Sequence, residues 1–343
     1  MAVKAVVLFN LGGPDNLEAV EPFLFNLFYD PAIIRLPKPL RFLIAKLISK
    51  RRGPIAREIY ENMGGRSPIL PQTEDQSKAL AALLNEGDDE YHVFIAMRYW
   101  YPRASETVKE VKALNPDEVI LLPLYPQFST TTTASSLKEW KEEAAKIGLD
   151  APTSSICCYP DEIGFAKANA ELIREKLAEV KGDQQPRLLF SAHGLPKKIV
   201  DAGDPYPWQV SQSVGAILKE LGRDDLEHLI CFQSRVGPVE WIGPDTEDEI
   251  KRAGTEKRAV MVIPVAFVSE HSETLVELDI EYGELAHEVG IPEYLRVPTV
   301  TVHPKFVEGL AGLVKGCQKG TTSSLCGGRI CPSDAAGCPL KSA

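Results

Sequence analysis

Apolar positions along this chain fall into two alternating textures. Short runs dense in Val, Ile, Leu and Phe occur at Val3–Phe9, His92–Met97, Glu118–Leu122, Leu188–Ser191, Leu229–Phe232 and Val260–Val265. Their length and β-branched content predict buried strands. Between them, apolar residues recur at helical spacing in Glu74–Leu84, Ser105–Leu114, Phe165–Val180, Gln209–Leu221 and Ser272–Val289. Those stretches predict amphipathic helices. Strand–helix alternation implies parallel sheets covered by helices on both faces, an α/β fold. Ligands in such folds sit at the carboxyl ends of the strands, so the loops after strands are expected to carry the chemistry.

The chain also rhymes with itself. Val6-Val7-Leu8-Phe9-Asn10-Leu11-Gly12-Gly13-Pro14 and Leu188-Leu189-Phe190-Ser191-Ala192-His193-Gly194-Leu195-Pro196 are both apolar strands running into a small-residue loop. At 343 residues the chain is too long for one ordinary domain. Two similar doubly wound lobes are expected, over residues 1–155 and 156–316, followed by a tail over 317–343.

Two segments break the pattern. Residues 21–53 are rich in Phe, Leu and Ile with Lys and Arg between them. They read either as helices covering a sheet or as an exposed apolar lip suited to a membrane surface or a flat apolar ligand. The tail after Gly316 has few larger apolar residues, Leu325, Ile330 and Leu340, and cannot build a core. Without a staple it is expected to be disordered.

Charge narrows the function classes. With 38 basic and 48 acidic residues the net charge is −10, which disfavours nucleic acid as a partner. No apolar run approaches the roughly 18–20 residues of a membrane-spanning helix. No signal-peptide pattern opens the chain, so a cytoplasmic protein is expected.

The sharpest chemical pattern follows the strand near Val260–Val265. In Phe267-Val268-Ser269-Glu270-His271-Ser272-Glu273, Ser269 is the expected N-cap of a helix beginning close to Glu270 and His271. Glu273, Glu277, Glu281 and Glu284 then fall on one stripe, with Leu275, Leu278, Tyr282, Leu285 and Val289 opposite. The stripe reads either as a solvated face or as a carboxylate ladder that passes a divalent cation toward the histidine. His193 ends another strand in a tight loop and is a second candidate. Tyr125, in a hydroxyl-rich loop, and Arg98-Tyr99-Trp100-Tyr101 also end strands, as do the loops holding Gln233-Ser234-Arg235 and Trp241. An Arg among aromatics suits a planar anion, and equally a packed aromatic corner.

Cysteines cluster at the end. Cys317, Cys326, Cys331 and Cys338 are separated by eight, four and six residues, with no CxxC pair. Four thiolates permit an iron–sulfur centre or zinc, and unligated thiols stay open as a third reading.

Taken together, LFNLGGP, LPLYPQFSTTTTASS, LLFSAHGLP with downstream GDPY, FQSRVGP with VEWIGP, and FVSEHSETLVELDIEY resemble the ferrochelatase family, from about residue 4 to about 315. The resemblance implies two Rossmann-like, chelatase-like lobes around a cleft for a porphyrin, and insertion of Fe2+, the metal substrate, into protoporphyrin IX. Coproporphyrin III, or a non-catalytic tetrapyrrole-binding role, is the alternative. It implies His193 and Glu273 as catalytic residues, with His271, Glu277 and Tyr125 on the metal or proton path. Leu11, Arg51, Arg52, Arg98, Tyr99, Tyr125 and Trp241 match porphyrin-binding positions. Some members carry a [2Fe–2S] cluster, which implies Cys158, Cys326, Cys331 and Cys338 as ligands, with Cys317 as substitute. Peripheral contact with the inner face of a membrane is a further implication; the oligomeric state, monomer or homodimer, stays open.

Overall fold

The structure, a computed structural model, describes residues 2–181, 185–235, 237–325 and 327–340. It divides into two compact units, Met1–Cys158 with Ala311–Gly328, and Tyr159–Leu310 with Arg329–Ala343. The division lies at the end of a strand of the first sheet, Thr153–Cys158, so the expected boundary at 155/156 would cut that strand. The expected tail is shared between the units rather than standing apart.

The first unit is built on strands β1 (Val3–Asn10), β2 (Glu90–Met97), β3 (Glu118–Pro123), β4 (Thr153–Cys158) and a short strand from the tail, Thr322–Ser324. They form one parallel sheet in the order β2-β1-β3-β4, with the tail strand on the β4 edge. Its helices are α1 (Val20–Tyr29), α2 (Lys38–Glu61), α3 (Ile69–Leu84), α4 (Ala104–Leu114) and α5 (Thr133–Ile147). Alternate residues of β1 point to one face: Ala5, Val7 and Phe9 join Val108 and Val111 of α4 and Trp140 of α5 in one core. Phe9 and Trp140 meet edge to face at 5.9 Å. The intervening Val6 and Leu8 are also fully buried, as expected of a central parallel strand covered on both sides.

The second unit repeats this plan. Strands β5 (Arg187–His193), β6 (His228–Gln233), β7 (Val260–Pro264) and β8 (Tyr294–Arg296) are parallel in the order β6-β5-β7-β8. Its helices begin with α6 (Ile163–Leu177), α7 (Lys197–Asp201), α8 (Tyr206–Leu221) and α9 (Thr246–Thr255). Leu188, Phe190 and Ala192 pack on α6 and α8, whereas Leu189 faces Ile250 and Ala253 of α9 and Leu278, Tyr282 and Ala286. Each unit therefore runs second-first-third-fourth in its own chain order, the structural counterpart of the sequence rhyme. In such a sheet the chain reverses direction of winding between the first and third strands, which opens a crevice at their carboxyl ends.

Segment 21–53 forms two helices, one packed and one with an exposed apolar face. Helix α1 buries Val20, Phe23 and Leu24 against Tyr60 and Tyr99. Helix α2 leaves Leu40, Leu43, Leu47 and Ile55 exposed, Leu43 and Leu47 at 63% and 68%. The described residues of the tail are held in place without a core of their own. Ser155 pairs with Thr322 at the open edge of β4, where backbone bonds need no apolar surface. Beyond it, the Arg329 guanidinium donates to the carbonyls of Cys331, Pro332, Ala335 and Leu340. One cation thus gathers the loop's carbonyl oxygens in place of a core.

Candidate active site

His193 is the last residue of β5, and the segment carrying His271, Glu273 and Glu277 follows β7. Both loops therefore issue at the switch point of the second unit. After β7 the chain runs as coil to His271, which is the N-cap of a four-residue helix, α10 (Ser272–Leu275). A π-helix over Glu277–Glu281 follows, marked by the Glu281 N–H reaching the Val276 carbonyl at 2.9 Å, and then α11 (Tyr282–Glu288). The helix thus starts two residues later than a Ser269 cap predicts; Ser269 and Glu270 are buried before it.

The π turn also corrects the ladder. An inserted residue advances the helical phase, so the line through Glu273 and Glu277 does not continue. Glu281 and Glu284 are exposed. Burial, then the charges of Glu247 and Glu284, raises the Glu281 carboxyl. Tyr282, expected on the apolar stripe, keeps its ring in the core, yet its hydroxyl donates to Glu277 Oε1 at 3.0 Å.

His193 and Glu273 meet directly, Nδ1 to Oε2, at 2.9 Å. Their side chains stay 39% and 29% exposed, so water reaches and screens the pair. Burial alone would lower the His193 imidazole, but the Glu273 carboxylate, with Glu277 behind it, raises it above the ordinary histidine range. Burial alone would raise Glu273; the His193 charge and hydrogen bond reverse this, helped by His271 and Ser234, and hold it below the carboxylate range. Glu277 goes the other way. Burial, then the Glu273 charge, raises it against hydrogen bonds from Ser234 and Gln233. Neighbouring carboxylates pushed apart in this way can take different roles. His271 is lowered, chiefly by burial, and so stays neutral; its ring packs edge-on against Phe267 at 4.6 Å.

Residues of the FQSRVGP loop, assigned no individual role from the sequence, hold Glu277 in place. The Ser234 N–H donates to its Oε1 at 2.8 Å, the Ser234 hydroxyl to its Oε2 at 2.5 Å, and Gln233 Nε2 to its Oε2 at 3.1 Å. Gln233 also donates to the Glu273 carbonyl at 2.9 Å and accepts from Ser191 at 2.7 Å. The signal for them in the sequence is their place in the FQSRVGP motif at the end of a strand, which does not say which carboxylate they hold. Trp241 lies over Gly194: a Cβ there would sit 3.3 Å from its ring and 2.9 Å from the Gln233 carbonyl oxygen. The loop is thus seated against the residue next to His193.

In the first unit Arg98 and Tyr99 form a buried network. Arg98 binds Asp30 at 2.7 Å, Glu139 at 3.1 Å and the Ser135 hydroxyl at 2.7 Å, and stays only 12% exposed. The Tyr99 hydroxyl donates to Asp30 at 2.8 Å. Of the two readings of this Arg among aromatics, the geometry is that of a packed corner in which the Arg98 charge is already matched by two carboxylates. The Tyr125 ring is partly buried, and burial raises its phenol well above the ordinary range. Leu11 is half-buried against the cluster of Val20, Phe23 and Tyr99. Arg51 is exposed and Arg52 half-buried on α2, the helix with the exposed leucines.

Among the expected cluster ligands, Cys158 and Cys331 are buried and Cys338 and Cys317 half-buried. Cys326 lies outside the described residues. Gln209 Nε2 donates to Cys331 Sγ at 3.2 Å. Among the described residues no three His, Cys, Asp or Glu side chains converge as a metal site.

These paired α/β units have the fold of chelatases. SirB from Bacillus subtilis with Fe3+ matches with a TM-score of 0.53 at 10% identity, covering 92% of this chain and 95% of that one. A multi-domain protein from Deinococcus radiodurans, described as structurally similar to chelatases, matches at 0.52 and 13% identity over 95% of this chain and 57% of its own. Sequence takes the assignment further. The family model Ferrochelatase matches residues 3–317. Curated ferrochelatases from Caulobacter vibrioides and Pelagibacter ubique are 53% and 49% identical over 342 and 340 residues, each covering 98% of this chain and 97% and 98% of their own. The chain belongs to the ferrochelatase family.

Proposed function

We propose that His193 takes protons from the macrocycle as iron enters a porphyrin, and that Glu273 prepares it for that task. Family membership makes the chain an enzyme that inserts iron into a porphyrin. The reaction replaces two pyrrole N–H protons by one ferrous ion, so two protons must be accepted and a cation must be delivered without being kept.

The observation that carries this reading is the 2.9 Å bond from His193 Nδ1 to Glu273 Oε2. With Glu273 ionised, Nδ1–H donates, and the lone pair is left on Nε2. A proton arriving at Nε2 makes an imidazolium whose counter-charge is already in place. Glu273, with its carboxyl held low, is a weak base, so it supports and His193 accepts. Glu277, raised by burial and by Glu273, is the better onward proton carrier. Carboxylate oxygens attract ferrous iron without the grip of thiolates, which suits a metal that must leave. His271 stays neutral beside them.

For the porphyrin, taken as protoporphyrin IX, the reading retains Leu11, Tyr125 and Trp241 as apolar contacts and Arg51 and Arg52 as cations for its carboxylates. Arg98 and Tyr99 act as support rather than as anion receptors. The test is zinc or ferrous iron insertion into protoporphyrin IX and coproporphyrin III by His193→Ala and Glu273→Gln. Each variant is expected to lose about 100-fold or more in kcat, in the range of general base catalysis. Near-normal turnover in both folded variants removes the assignment.

Two finer parts belong to the same reading. The lip of α2 lies on a membrane surface: Leu40, Leu43, Leu47 and Ile55 are exposed on a helix that also carries Lys46, Lys50, Arg51 and Arg52. No helix among the described residues is long and apolar enough to cross a membrane. The second part is a [2Fe–2S] cluster held by Cys158, Cys326, Cys331 and Cys338. Its support is the buried setting of Cys158 and Cys331 and the Gln209 donor on the Cys331 sulfur, a contact of the kind that tunes ligating thiolates. The described residues alone do not complete the ligand set, and no step of the reaction is routed through the cluster.

A further inference from the structure

The segment that carries Glu273 and Glu277 is poorly able to hold its own shape. Helix α10 has four residues and the π-helix after it five, both far below the length at which a helix is stable by itself. Yet a 2.9 Å bond between Glu273 and His193 demands a fixed backbone. Something outside the segment has to supply the rigidity.

Strand β8 does so from one side. Tyr294 and Arg296 are two residues apart on a strand, so their side chains leave the same face. The Tyr294 hydroxyl donates to the Leu278 carbonyl, inside the π-helix, at 2.6 Å. The Arg296 guanidinium grips Asp279 with two nitrogens, Nε to Oδ1 at 2.7 Å and Nη2 to Oδ2. Its third nitrogen, Nη1, donates to Glu270 Oε1 at 2.6 Å. Glu270 Oε1 is itself held by the Thr299 N–H at 3.0 Å. Arg296 and Glu270 are each 10% exposed, so this is not a solvated surface pair.

Glu270 and Asp279 bracket the segment: one precedes His271, and the other follows Leu278. We propose that Arg296, with Tyr294, is a positioning residue that clamps both ends of His271–Leu278 and so sets Glu273 against His193. The planar fork of arginine is what the geometry requires, since three of its nitrogens reach two carboxylates in different directions. A lysine ammonium in its place reaches one carboxylate and leaves the other end of the segment loose. This inference rests on the His193–Glu273 assignment above, but its test does not depend on turnover alone.

The experiment compares Arg296→Lys and Tyr294→Phe with the unaltered protein by two readouts. The first is the NMR titration of the His193 imidazole in the absence of substrate. The second is steady-state zinc insertion into protoporphyrin IX. With the clamp loosened, Glu273 no longer stays in contact, so the His193 midpoint moves down toward the ordinary histidine range. For Arg296→Lys, kcat falls about tenfold or more while KM for the porphyrin changes less than about twofold, the pattern of lost geometry rather than lost binding. Tyr294→Phe shows the same signs, more weakly. Arg187→Lys is the control. It disturbs a comparable cluster with Glu227 and Glu256 at the opposite end of β5, and leaves the His193 titration in place.

Folded Arg296→Lys with an unmoved His193 titration and unchanged kcat overturns the clamp. So does an equal shift in Arg187→Lys, which would make the effect a general loss of stability. If Arg296→Lys does not fold, Tyr294→Phe decides by the same criteria. A clamp that fails by NMR while His193→Ala still abolishes turnover leaves the catalytic reading standing, so the two failures are distinguishable.

Discussion

Replacing Gly194 by alanine probes how closely the residue after His193 is packed. An added Cβ would lie 2.9 Å from the Gln233 carbonyl oxygen and 3.3 Å from the Trp241 ring, against an ordinary contact of 3.4 Å or more. The backbone oxygen cannot swing aside, because the Gly194 N–H is bonded to it at 2.9 Å. The loop must therefore move by about 0.5 Å, which overpacking data place at about 1–3 kcal/mol. That movement falls one residue from the imidazole and on Gln233, which holds both Glu273 and Glu277. About tenfold in kcat is the expected loss, since a 1 Å misplacement costs about 100-fold. Two further glycines separate geometry from stability. At Gly164 a Cβ would sit 2.2 Å from the Lys305 carbonyl, so Gly164→Ala is expected to lose more stability than Gly194→Ala but keep its turnover per folded molecule. Gly215, inside α8, has nothing within 4 Å, and alanine there is expected to add about 0.5–1 kcal/mol. Urea unfolding gives the stabilities and fluorescence-detected zinc insertion the rates. Unchanged kcat in Gly194→Ala, or an equal loss in Gly164→Ala, refutes the reasoning.

Stability should depend on pH through the His193–Glu273 pair. The raised His193 contributes stability that is complete below its unfolded pKa of about 6.5 and is lost as pH rises through its folded value. The depressed Glu273 contributes above about pH 4.5 and loses it as pH falls through its folded value. The advantage of the protein over Glu273→Gln in unfolding free energy is therefore greatest between about pH 5 and 6.5, and shrinks at alkaline pH; a flat difference contradicts the pairing. Glu277, raised by burial and by Glu273, opposes this trend above its own titration, and His271 and Tyr206 also face the pair. Anaerobically purified protein is expected to show visible absorption and bound iron with sulfide, lost in Cys158→Ser and Cys331→Ser and kept in Cys317→Ser. A colourless, zinc-loaded preparation counts against the cluster. Sedimentation with anionic lipid vesicles is expected to fall sharply in Leu43→Asp with Leu47→Asp, while insertion into soluble porphyrin continues; equal sedimentation removes the membrane contact.

Local patterning in the sequence specified the two sheets, because a buried parallel strand is a continuous apolar run and an amphipathic helix repeats every 3.6 residues. It also marked His193 at the end of its strand and Glu273 in the segment that follows another, and the rhyme of β1 with β5 pointed to two similar units. It did not show where the acidic helix begins or that a π turn interrupts it, since one inserted backbone position leaves the residue types unchanged. Nor could it tell that Arg98 is spent on Asp30 and Glu139, which lie 68 and 41 residues away along the chain. Only the folded chain decided that Ser234, Gln233 and Tyr282 converge on Glu277, and that Arg296 spans Glu270 and Asp279. Those contacts are set by the order and register of neighbouring strands, a non-local property that no window of sequence contains.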